Sequence, residues 1–445
     1  MKMKGNRIIS ALLPAILLGC AMLSGCGSGS SGGAADGGGK AGSDSGGQGK
    51  DPTAYTGGPV ELLVQDRNSG MTEQEFQENF VKPVKAKYPD ITLKLTTEKD
   101  FQKLVAGGTI PDLVAVSNTL LNDYIDMGYP EDLTPMIKRF NINLDSIEPS
   151  IVEVLKGLGR GGSIYGLPFG MNYGATIYNK DLFDKFGVPY PKEIITWDEY
   201  LDLATRLTRM EGGVQYIGGS PHSVPNLLKQ YGVSSVDASD SKIILTSDKH
   251  RYIYSFVQKF FEIPGLIQGK TYQQTNISNG KIAMLPTWIA SWAATVIKSK
   301  QSFDWDVIAN PVFKERPDIG NPVDFHMLIV NKAGNNKEAA YRVLLTMVSP
   351  EAQQELTKNT RITPLKDPKL KAMFAQNSRV FEGKNLTSIF KVKPAPLPDY
   401  SRWTSLISTY STAVAEDMAL NKKDMNTAMR EQEEKANKAL SEMKK

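Results

Sequence analysis

Apolar and polar residues follow one another along the chain in a pattern that predicts strands and helices in turn. Apolar residues dominate positions 60–65 and occupy every second position of 91–95, which predicts two strands. Between them, residues 72–75 form a capping-box sequence that predicts a helix, and Pro83 is expected to kink or end it. The wholly apolar run 113–116 predicts a strand in the middle of a parallel sheet. This order of elements indicates an α/β fold.

Polar side chains follow two of these predicted strands. Ligands of open α/β sheets bind beyond the carboxyl ends of the strands, so residues at these positions are candidate ligand contacts. Asp66, Arg67 and Asn68 follow the first strand, and the alternative for them is a solvated turn. Asn118 follows the third strand and is a fourth candidate.

The N-terminal residues resemble an export signal. Basic residues precede an apolar run at 8–23, which is short for a transmembrane helix. The run ends in Leu-Ser-Gly-Cys at 23–26, which resembles the bacterial lipobox. The resemblance implies that residues 1–26 contain a lipoprotein signal peptide and that Cys26 receives a lipid and becomes the new N-terminus. The alternatives are an ordinary signal peptide with an incidental cysteine and a weaker lipobox match at 17–20.

A flexible linker is predicted after this cysteine, over residues 27–58. Residues 27–51 are almost wholly Gly, Ser, Ala, Asp and Lys, and no packed core can form from that composition. Such a stretch behaves as a flexible coil. Behind a lipidated cysteine it would hold a folded domain off the membrane, so the expected location is the outer face of the cell membrane.

Composition narrows the range of possible functions. Both cysteines, Cys20 and Cys26, lie in the leader, so the mature fold can contain neither a disulfide nor a cysteine metal site. Three basic residues leave with the signal, so the formal charge falls from +4 to about +1 (4 − 3) and does not indicate a nucleic-acid partner. The 445 residues suffice for two large lobes, each with its own core.

No motif indicates an enzyme, a metal site or a cofactor. The three histidines, His222, His250 and His326, are isolated from one another, unlike metal ligands. The Gly-x-Gly-x-x-Gly sequence at 157–162 follows a helix-like segment and precedes a strand, which is the wrong order for dinucleotide binding and predicts a flexible turn. A glycosidase needs two placed carboxylates, and the many acidic residues leave that alternative open.

Four segments carry a recognisable order of motifs. They are LVAGGTIPDL at 104–113, SIYGLP at 163–168 with IYNKDLF at 177–183, GKIAM at 280–284, and NK at 331–332 with KEAAY at 337–341 and SPEAQ at 349–353. Each motif alone is weak, but in this order they resemble the family 1 extracellular solute-binding proteins, which include the maltose-binding proteins. The resemblance extends from residue 60 to the C-terminus.

This resemblance implies a periplasmic-binding-protein fold of type II, with two discontinuous α/β lobes joined by a hinge. The expected N-terminal lobe comprises residues 59–168 and 327–368. The expected C-terminal lobe comprises residues 169–326 and 369–445. The ligand would lie in the cleft between the lobes, which would close around it by a hinge motion.

The resemblance also implies a function. It predicts a monomeric lipoprotein that captures a small polar ligand, a mono- or oligosaccharide, and delivers it to the permease of an ABC transporter. No catalytic residue and no cofactor are expected. The alternatives are a surface lipoprotein that acts enzymatically on carbohydrate and a binding protein that feeds a sensor kinase.

Tryptophans are the candidate platforms for a sugar. Sugars offer hydroxyl groups and an apolar ring face, so their sites combine hydrogen-bonding side chains with aromatic rings. The resemblance makes Trp288, Trp292 and Trp403 candidates. Trp403 is the first choice, and Trp292 is preferred to Trp288. Because these last two are four residues apart, they are predicted to share a helical face, so one of them could be a core residue.

Two asparagines mark departures from the maltose-binding pattern. The loop around Asn118 lacks its aromatic and acidic cluster, and Asn172 stands where it has an acidic contact. Maltodextrin specificity is therefore not expected, although both residues stay candidate contacts. Arg402 is a further candidate, because it and Arg67 could each bind a carboxylate through two hydrogen bonds. Anionic and nitrogenous ligands are thus alternatives to a sugar.

Overall fold

The computed structural model of the protein describes residues 53–96 and 98–444. The predicted signal peptide, Cys26 and most of the predicted linker lie outside these residues. The described residues form twelve strands, which are in chain order β1 (Val60–Asp66), β2 (Ile91–Thr96), β3 (Leu113–Ser117), β4 (Leu167–Asn172), β5 (Gly174–Asn179), β6 (Arg209–Glu211), β7 (Val214–Gly219), β8 (Ile282–Trp288), β9 (Trp305–Ala309), β10 (Ile319–Pro322), β11 (Asp324–Val330) and β12 (Lys393–Ala395).

Helices connect and cover these strands. The α-helices within the same residues are α1 (Glu73–Phe76), α2 (Lys82–Lys87), α3 (Phe101–Ala106), α4 (Leu121–Asp126), α5 (Thr134–Arg139), α6 (Pro149–Leu158), α7 (Lys180–Phe186), α8 (Trp197–Leu207), α9 (Val224–Tyr231), α10 (Asp248–Phe261), α11 (Ile289–Lys298), α12 (Lys337–Met347), α13 (Pro350–Lys358), α14 (Pro368–Lys371), α15 (Thr404–Ala419) and α16 (Met425–Met443). A π-helical turn (Gln77–Val81) joins α1 to α2. Among the described residues, no helix combines the length and the apolar character needed to cross a membrane.

The first lobe is built on a mixed sheet with the strand order β2-β1-β3-β11-β4. β1 pairs in parallel with β2 and β3, whereas β11 runs antiparallel to both β3 and β4. β3 and β11 are buried along their whole length, which is typical of central strands covered on both faces. The predicted strands at 60–65, 91–95 and 113–116 are therefore confirmed and share one sheet.

The second lobe is built on a mixed sheet with the strand order β6-β7-β8-β5-β9. β5 lies antiparallel between β8 and β9, and β7 pairs in parallel with β8. Its core contains an aromatic cluster on α8 and α10, in which the Trp197 ring lies 5.4 Å from Tyr200 and 6.0 Å from Phe256. α9, α15 and α16 pack on α10 in this lobe.

The chain passes directly from one sheet to the other. β4 of the first sheet ends at Asn172 and β5 of the second begins at Gly174, so Tyr173 alone joins them. The chain returns between Ala309, where β9 ends, and Asp324, where β11 begins. Two mixed sheets with covering helices therefore form two lobes, and the predicted α/β fold with two discontinuous lobes is confirmed.

The predicted capping sequence at 72–75 begins a helix, as does a second sequence of this kind at 196–199, but only the second forms a complete capping box. Thr196 accepts from the Glu199 backbone N–H, and the Glu199 carboxylate accepts in return from the Thr196 N–H. At the other site, Thr72 Oγ1 accepts from the Glu75 N–H at 3.1 Å. The Glu75 carboxylate instead forms an ion pair with Arg361, which draws this helix start into a tertiary contact beside the cleft.

Candidate functional site

A cavity of about 500 Å³ lies between the two lobes, where the loops after β1 and β3 face the start of α11. Residues of the first lobe that line it include Asn68, Ser117, Thr119, Asn172, Asp324 and His326. Residues of the second lobe that line it include Ser223, Asn226, Lys229, Trp288, Ser291, Thr404, Ser405 and Ser408. Hydroxyl and amide groups thus dominate the lining, which has one indole ring.

Asp324 anchors the polar network on the side of the first lobe. Ser117 Oγ donates to its Oδ1 at 2.6 Å, and Asn172 Nδ2 donates to its Oδ2 at 2.9 Å. Burial raises the pKa of the Asp324 carboxyl, and these two hydrogen bonds oppose that effect because they stabilise the carboxylate. Each carboxylate oxygen keeps an acceptor position beyond its protein partner.

Asn172 joins this network to the second lobe. Its Nδ2 donates to Asp324, while its Oδ1 accepts at 3.2 Å from the backbone N–H of Ala290 in the first turn of α11. One amide side chain therefore bonds to a strand of one lobe and to a helix start of the other. A ligand beside Asn172 would touch the seam between the lobes.

His326 lies two residues after Asp324 on β11 and also lines the cavity. Arg361 Nη1 donates to His326 Nδ1, with a separation of 2.8 Å. Burial, and then the neighbouring Arg361 charge, hold the pKa of His326 well below its usual value. Arg361 is in turn paired with Glu75, and both of these residues line a second cavity of about 280 Å³ that adjoins the first at Gly70.

Lys229 is the cationic residue of the lining. It extends from α9, and no carboxylate of the described residues lies within ion-pair distance of its Nζ. Burial lowers the pKa of Lys229, while the negative charges of Asp399 and Asp324 act in the opposite direction. An ammonium group in this position is available to donate hydrogen bonds to a ligand.

Trp288 supplies the aromatic ring of the lining. It is the last residue of β8 and the N-cap of α11, and it is partly exposed. The His222 ring packs edge-on against it, at 6.1 Å between centroids. Burial lowers the pKa of His222 to about 4, so this supporting ring is neutral near neutral pH.

The structure brings three of the predicted ligand residues to the cavity: Asn68, Asn172 and Trp288. Asp66 is buried in a turn, where it accepts from the Ser69 N–H at 2.8 Å and pairs with Lys99. This matches the turn that the sequence left as an alternative, except that Asp66 is buried rather than solvated. The remaining members of the predicted set do not line the cavity: Arg67, Asn118, Trp292, Arg402 and Trp403.

Local contacts explain these positions. The Asn118 side-chain oxygen accepts from the Phe325 N–H at 3.0 Å, and Arg67 is exposed. Trp292 is buried on α11 against Trp305, with ring centroids 5.1 Å apart. Trp292 and Trp288 do not share a helical face, because Trp288 has extended backbone angles at the end of β8.

Trp403 and Arg402 lie at a contact between the lobes. The Trp403 indole is buried and donates from Nε1 to the Asp240 carbonyl at 2.9 Å. The Arg402 guanidinium lies over this indole, with its Cζ 4.6 Å from the ring centroid, and pairs with Asp126 of the first lobe. These interactions occupy both side chains without a ligand, and their role in ligand binding stays a prediction.

The sequence analysis did not select Lys229, Asp324 or His326. A signal for the last two is visible in the chain, because polar residues alternate with apolar ones at the start of an otherwise apolar strand, DFHMLIV at 324–330. Lys229 lies in an ordinary amphipathic helix and carries no such signal. Within residues 53–96 and 98–444, no group of three or more His, Cys, Asp and Glu side chains is placed to hold a metal ion.

Comparison with known proteins places this geometry in a family. Residues 70–354 match the family model described as bacterial extracellular solute-binding protein. A putative binding protein of Brucella abortus is 23% identical over 352 residues, which cover 72% of this chain and 79% of the relative.

Two solved structures are similar in fold. One is an ABC substrate-binding protein of Listeria monocytogenes in complex with cycloalternan, with a TM-score of 0.69 and 21% identity, covering 86% of this chain and 99% of that chain. The other is UgpB of Mycobacterium tuberculosis in complex with glycerophosphocholine, with a TM-score of 0.66 and 16% identity, covering 87% of this chain and 99% of that chain. At these identities the likeness establishes the fold.

Proposed function

Because this chain belongs to the family of bacterial extracellular solute-binding proteins, we propose that it captures a carbohydrate between its lobes and delivers it to the permease of an ABC transporter. Membership in this family makes it a binding protein and not an enzyme, as the sequence predicted. Two statements are part of this proposal: that the ligand is a mono- or oligosaccharide, and that the protein delivers it to a permease.

The composition of the cavity lining carries this proposal. Hydroxyl and amide side chains both donate and accept hydrogen bonds, which matches the dual character of sugar hydroxyls. Trp288 adds an aromatic ring on which the apolar face of a sugar can stack. A metal ion would need a cluster of carboxylates and histidines, and among the described residues no group of three or more His, Cys, Asp and Glu side chains is placed to hold one. The ionisable side chains of the lining are one lysine, one aspartate and one histidine, Lys229, Asp324 and His326, among a larger number of hydroxyl and amide groups.

The relatives support a polar organic ligand and differ in whether it carries ionised groups. The Listeria protein binds cycloalternan, a saccharide, which agrees with the proposal. The Mycobacterium protein binds glycerophosphocholine, which carries an anionic phosphodiester and a cationic quaternary ammonium group. The choice between a neutral and a charged ligand therefore depends on the residues of this cavity.

A thermal-shift screen tests the carbohydrate assignment. A ligand that binds only the folded protein stabilises it, by about 2.7 kcal/mol at a concentration of about 100 Kd. At least one saccharide should therefore raise the melting temperature already at low concentration, and the shift should grow with the logarithm of the saccharide concentration above Kd. A stereoisomer of that saccharide at the same concentration is the control, because general stabilisation by a sugar excluded from the protein surface does not depend on a specific site and becomes appreciable only at high concentration. If an amino acid, peptide or polyamine gives such a shift at low concentration and no saccharide does, the carbohydrate assignment is wrong.

We further propose that Cys26 is lipidated and that the linker at 27–58 tethers the folded lobes to the outer face of the membrane. The lipobox-like sequence at 23–26 supports this, since its cysteine sulfur would accept the lipid. Cys26→Ala should release the protein into the medium or block its maturation, because the variant lacks the acceptor sulfur. Cys20→Ala is the matched control and should leave anchoring intact. Fractionation of cells measures both, and a Cys26→Ala protein that stays processed and membrane-bound would contradict the proposal.

A further inference from the structure

Two ionisable residues of β11 face the cavity together. Asp324 and His326 are two positions apart, and alternate residues of a strand point to the same face of the sheet. Both line the cavity, and neither is among the predicted ligand contacts. Asp324 keeps acceptor positions free, because its protein partners, Ser117 and Asn172, take one hydrogen bond on each oxygen.

The tautomer of His326 follows from its partner. A guanidinium group has only donors, so the 2.8 Å contact with Arg361 Nη1 requires a lone pair on His326 Nδ1. The proton of the neutral ring is therefore on Nε2, for which the described residues provide no acceptor. Glu75 holds Arg361 in this position, since its Oε2 accepts from Arg361 Nη2 at 3.1 Å. His326 thus presents a fixed N–H donor beside the Asp324 acceptor.

The charges of the lining balance. Lys229 and Asp324 bring one positive and one negative charge, and the burial of His326 together with the Arg361 charge keeps its imidazole neutral. A ligand hydroxyl can donate to Asp324 while it accepts from His326 or Lys229. An ionised carboxylate can only accept, and an ionised phosphate would bring further negative charge beside Asp324.

We propose that Asp324 and His326 select an uncharged polyhydroxylated ligand and reject sugar acids and sugar phosphates. Asp324 accepts from a ligand hydroxyl, and His326 donates to that hydroxyl or to its neighbour. Arg361 is a positioning residue, because it fixes the His326 tautomer without itself lining this cavity. This inference rests on the proposed carbohydrate function and narrows its substrate class to neutral saccharides and polyols.

Matched ligand pairs test the selection. Neutral hexoses, pentoses and disaccharides are titrated calorimetrically against the full-length protein at neutral pH, beside the corresponding uronic acids and 6-phosphates. The charged member of a pair should bind at least about 10-fold more weakly than the neutral member, the scale of one unmade hydrogen bond to a charged group. Equal or tighter binding of a uronic acid or phosphate overturns the inference and leaves the carbohydrate function standing. No binding by any saccharide overturns the carbohydrate function as well.

Substitution identifies the residue responsible. Asp324→Asn should lower the affinity for the neutral sugar by about 10-fold. The ratio between the affinities for the neutral sugar and for its charged counterpart should become smaller. Asp202→Asn is the matched control, since Asp202 is exposed on α8 and should leave both affinities unchanged. An Asp324→Asn protein that retains full discrimination would contradict the role of Asp324.

The His326 tautomer can be measured without any ligand. Two-bond ¹⁵N–¹H correlation spectra of the histidine rings, assigned with His326→Gln, should show Nε2 protonated and Nδ1 unprotonated in the wild-type protein. Glu75→Gln combined with Arg361→Met removes both members of the ion pair, so no buried charge is left alone, and His326 should lose the single fixed tautomer. A proton on Nδ1, or a charged ring, in the wild-type protein would refute the assigned donor.

Discussion

Replacing Trp288 by alanine is expected to weaken carbohydrate binding by roughly 1–3 kcal/mol, which corresponds to about 10-fold to more than 100-fold in affinity. The physical reason is the loss of the aromatic ring of the lining, which otherwise covers the apolar face of the sugar. Isothermal titration with the saccharide found in the thermal-shift screen measures the change. Trp288→Phe keeps a ring of smaller area and should lose less affinity.

Trp403→Phe tests whether the sugar stacks on Trp288, as the structure indicates, or on Trp403, which was the first choice from the sequence. The Trp403 indole is buried and donates to the Asp240 carbonyl, so the substitution should lower the free energy of unfolding by about 1 kcal/mol and leave the affinity near that of the unaltered protein. If Trp403→Phe loses affinity while Trp288→Ala retains it, the stacking platform is Trp403.

Phe169→Ala should reduce the free energy of unfolding by about 3–5 kcal/mol, the range for truncating a buried aromatic residue. Phe169 is fully buried on β4, and its ring contacts Phe80 edge-on at 5.1 Å between centroids. It also lies under the polar groups of the cavity, with the Arg361 guanidinium 5.8 Å and the His326 ring 6.1 Å from its centroid. Truncation would leave a void beneath these groups.

Denaturant unfolding, followed by circular dichroism, measures this loss. Phe169→Leu is the matched control, because it retains most of the apolar volume and should cost less. Hydrogen exchange should show the reduced protection in the first lobe, where Phe169 packs. Full stability of Phe169→Ala would mean that the neighbouring side chains can refill the space.

The pattern of apolar residues predicted three strands of the first sheet, β1, β2 and β3, whereas the prediction that Trp288 and Trp292 share a helical face was wrong. Spacing by four places two tryptophans on one helical face only if the helix includes both. Here β8 continues through Trp288, where it pairs with Gly174, and α11 starts one residue later. That pairing is with a strand more than a hundred positions earlier, so no local pattern could reveal which tryptophan reaches the cavity.

The position of Asp324 and His326 on β11 also depends on pairing between strands that are far apart in the sequence. β11 returns antiparallel between β3 and β4, and its register places His326 opposite Ser117. The sequence showed which loops follow β1 and β3, and Asn68 does reach the cavity from there. It could not show that a later strand would enter the same sheet and bring Asp324 to the same edge.

Pro83 shows how a local rule can be satisfied in an unexpected way. The sequence predicted that it would kink or end its helix, yet the chain continues as a helix to Lys87. A π-helical turn (Gln77–Val81) precedes it, in which the Lys82 N–H bonds to the Gln77 carbonyl. The wider turn changes the hydrogen-bond pattern ahead of Pro83, whose missing N–H falls in the first turn of α2.

The passage through Tyr173 has a consequence for the entropy of capture. Tyr173 lies between Asn172, which lines the cavity, and Gly174, the first residue of the second sheet. The two halves of the site are therefore joined covalently beside the ligand, and their encounter is intramolecular. A solute that bridges them gains the contacts of both lobes without the loss of translational freedom that two separate proteins would bear. The two lobes therefore bind the solute as the two arms of a chelating ligand would, because folding of the chain fixes the high effective concentration of one lobe beside the other.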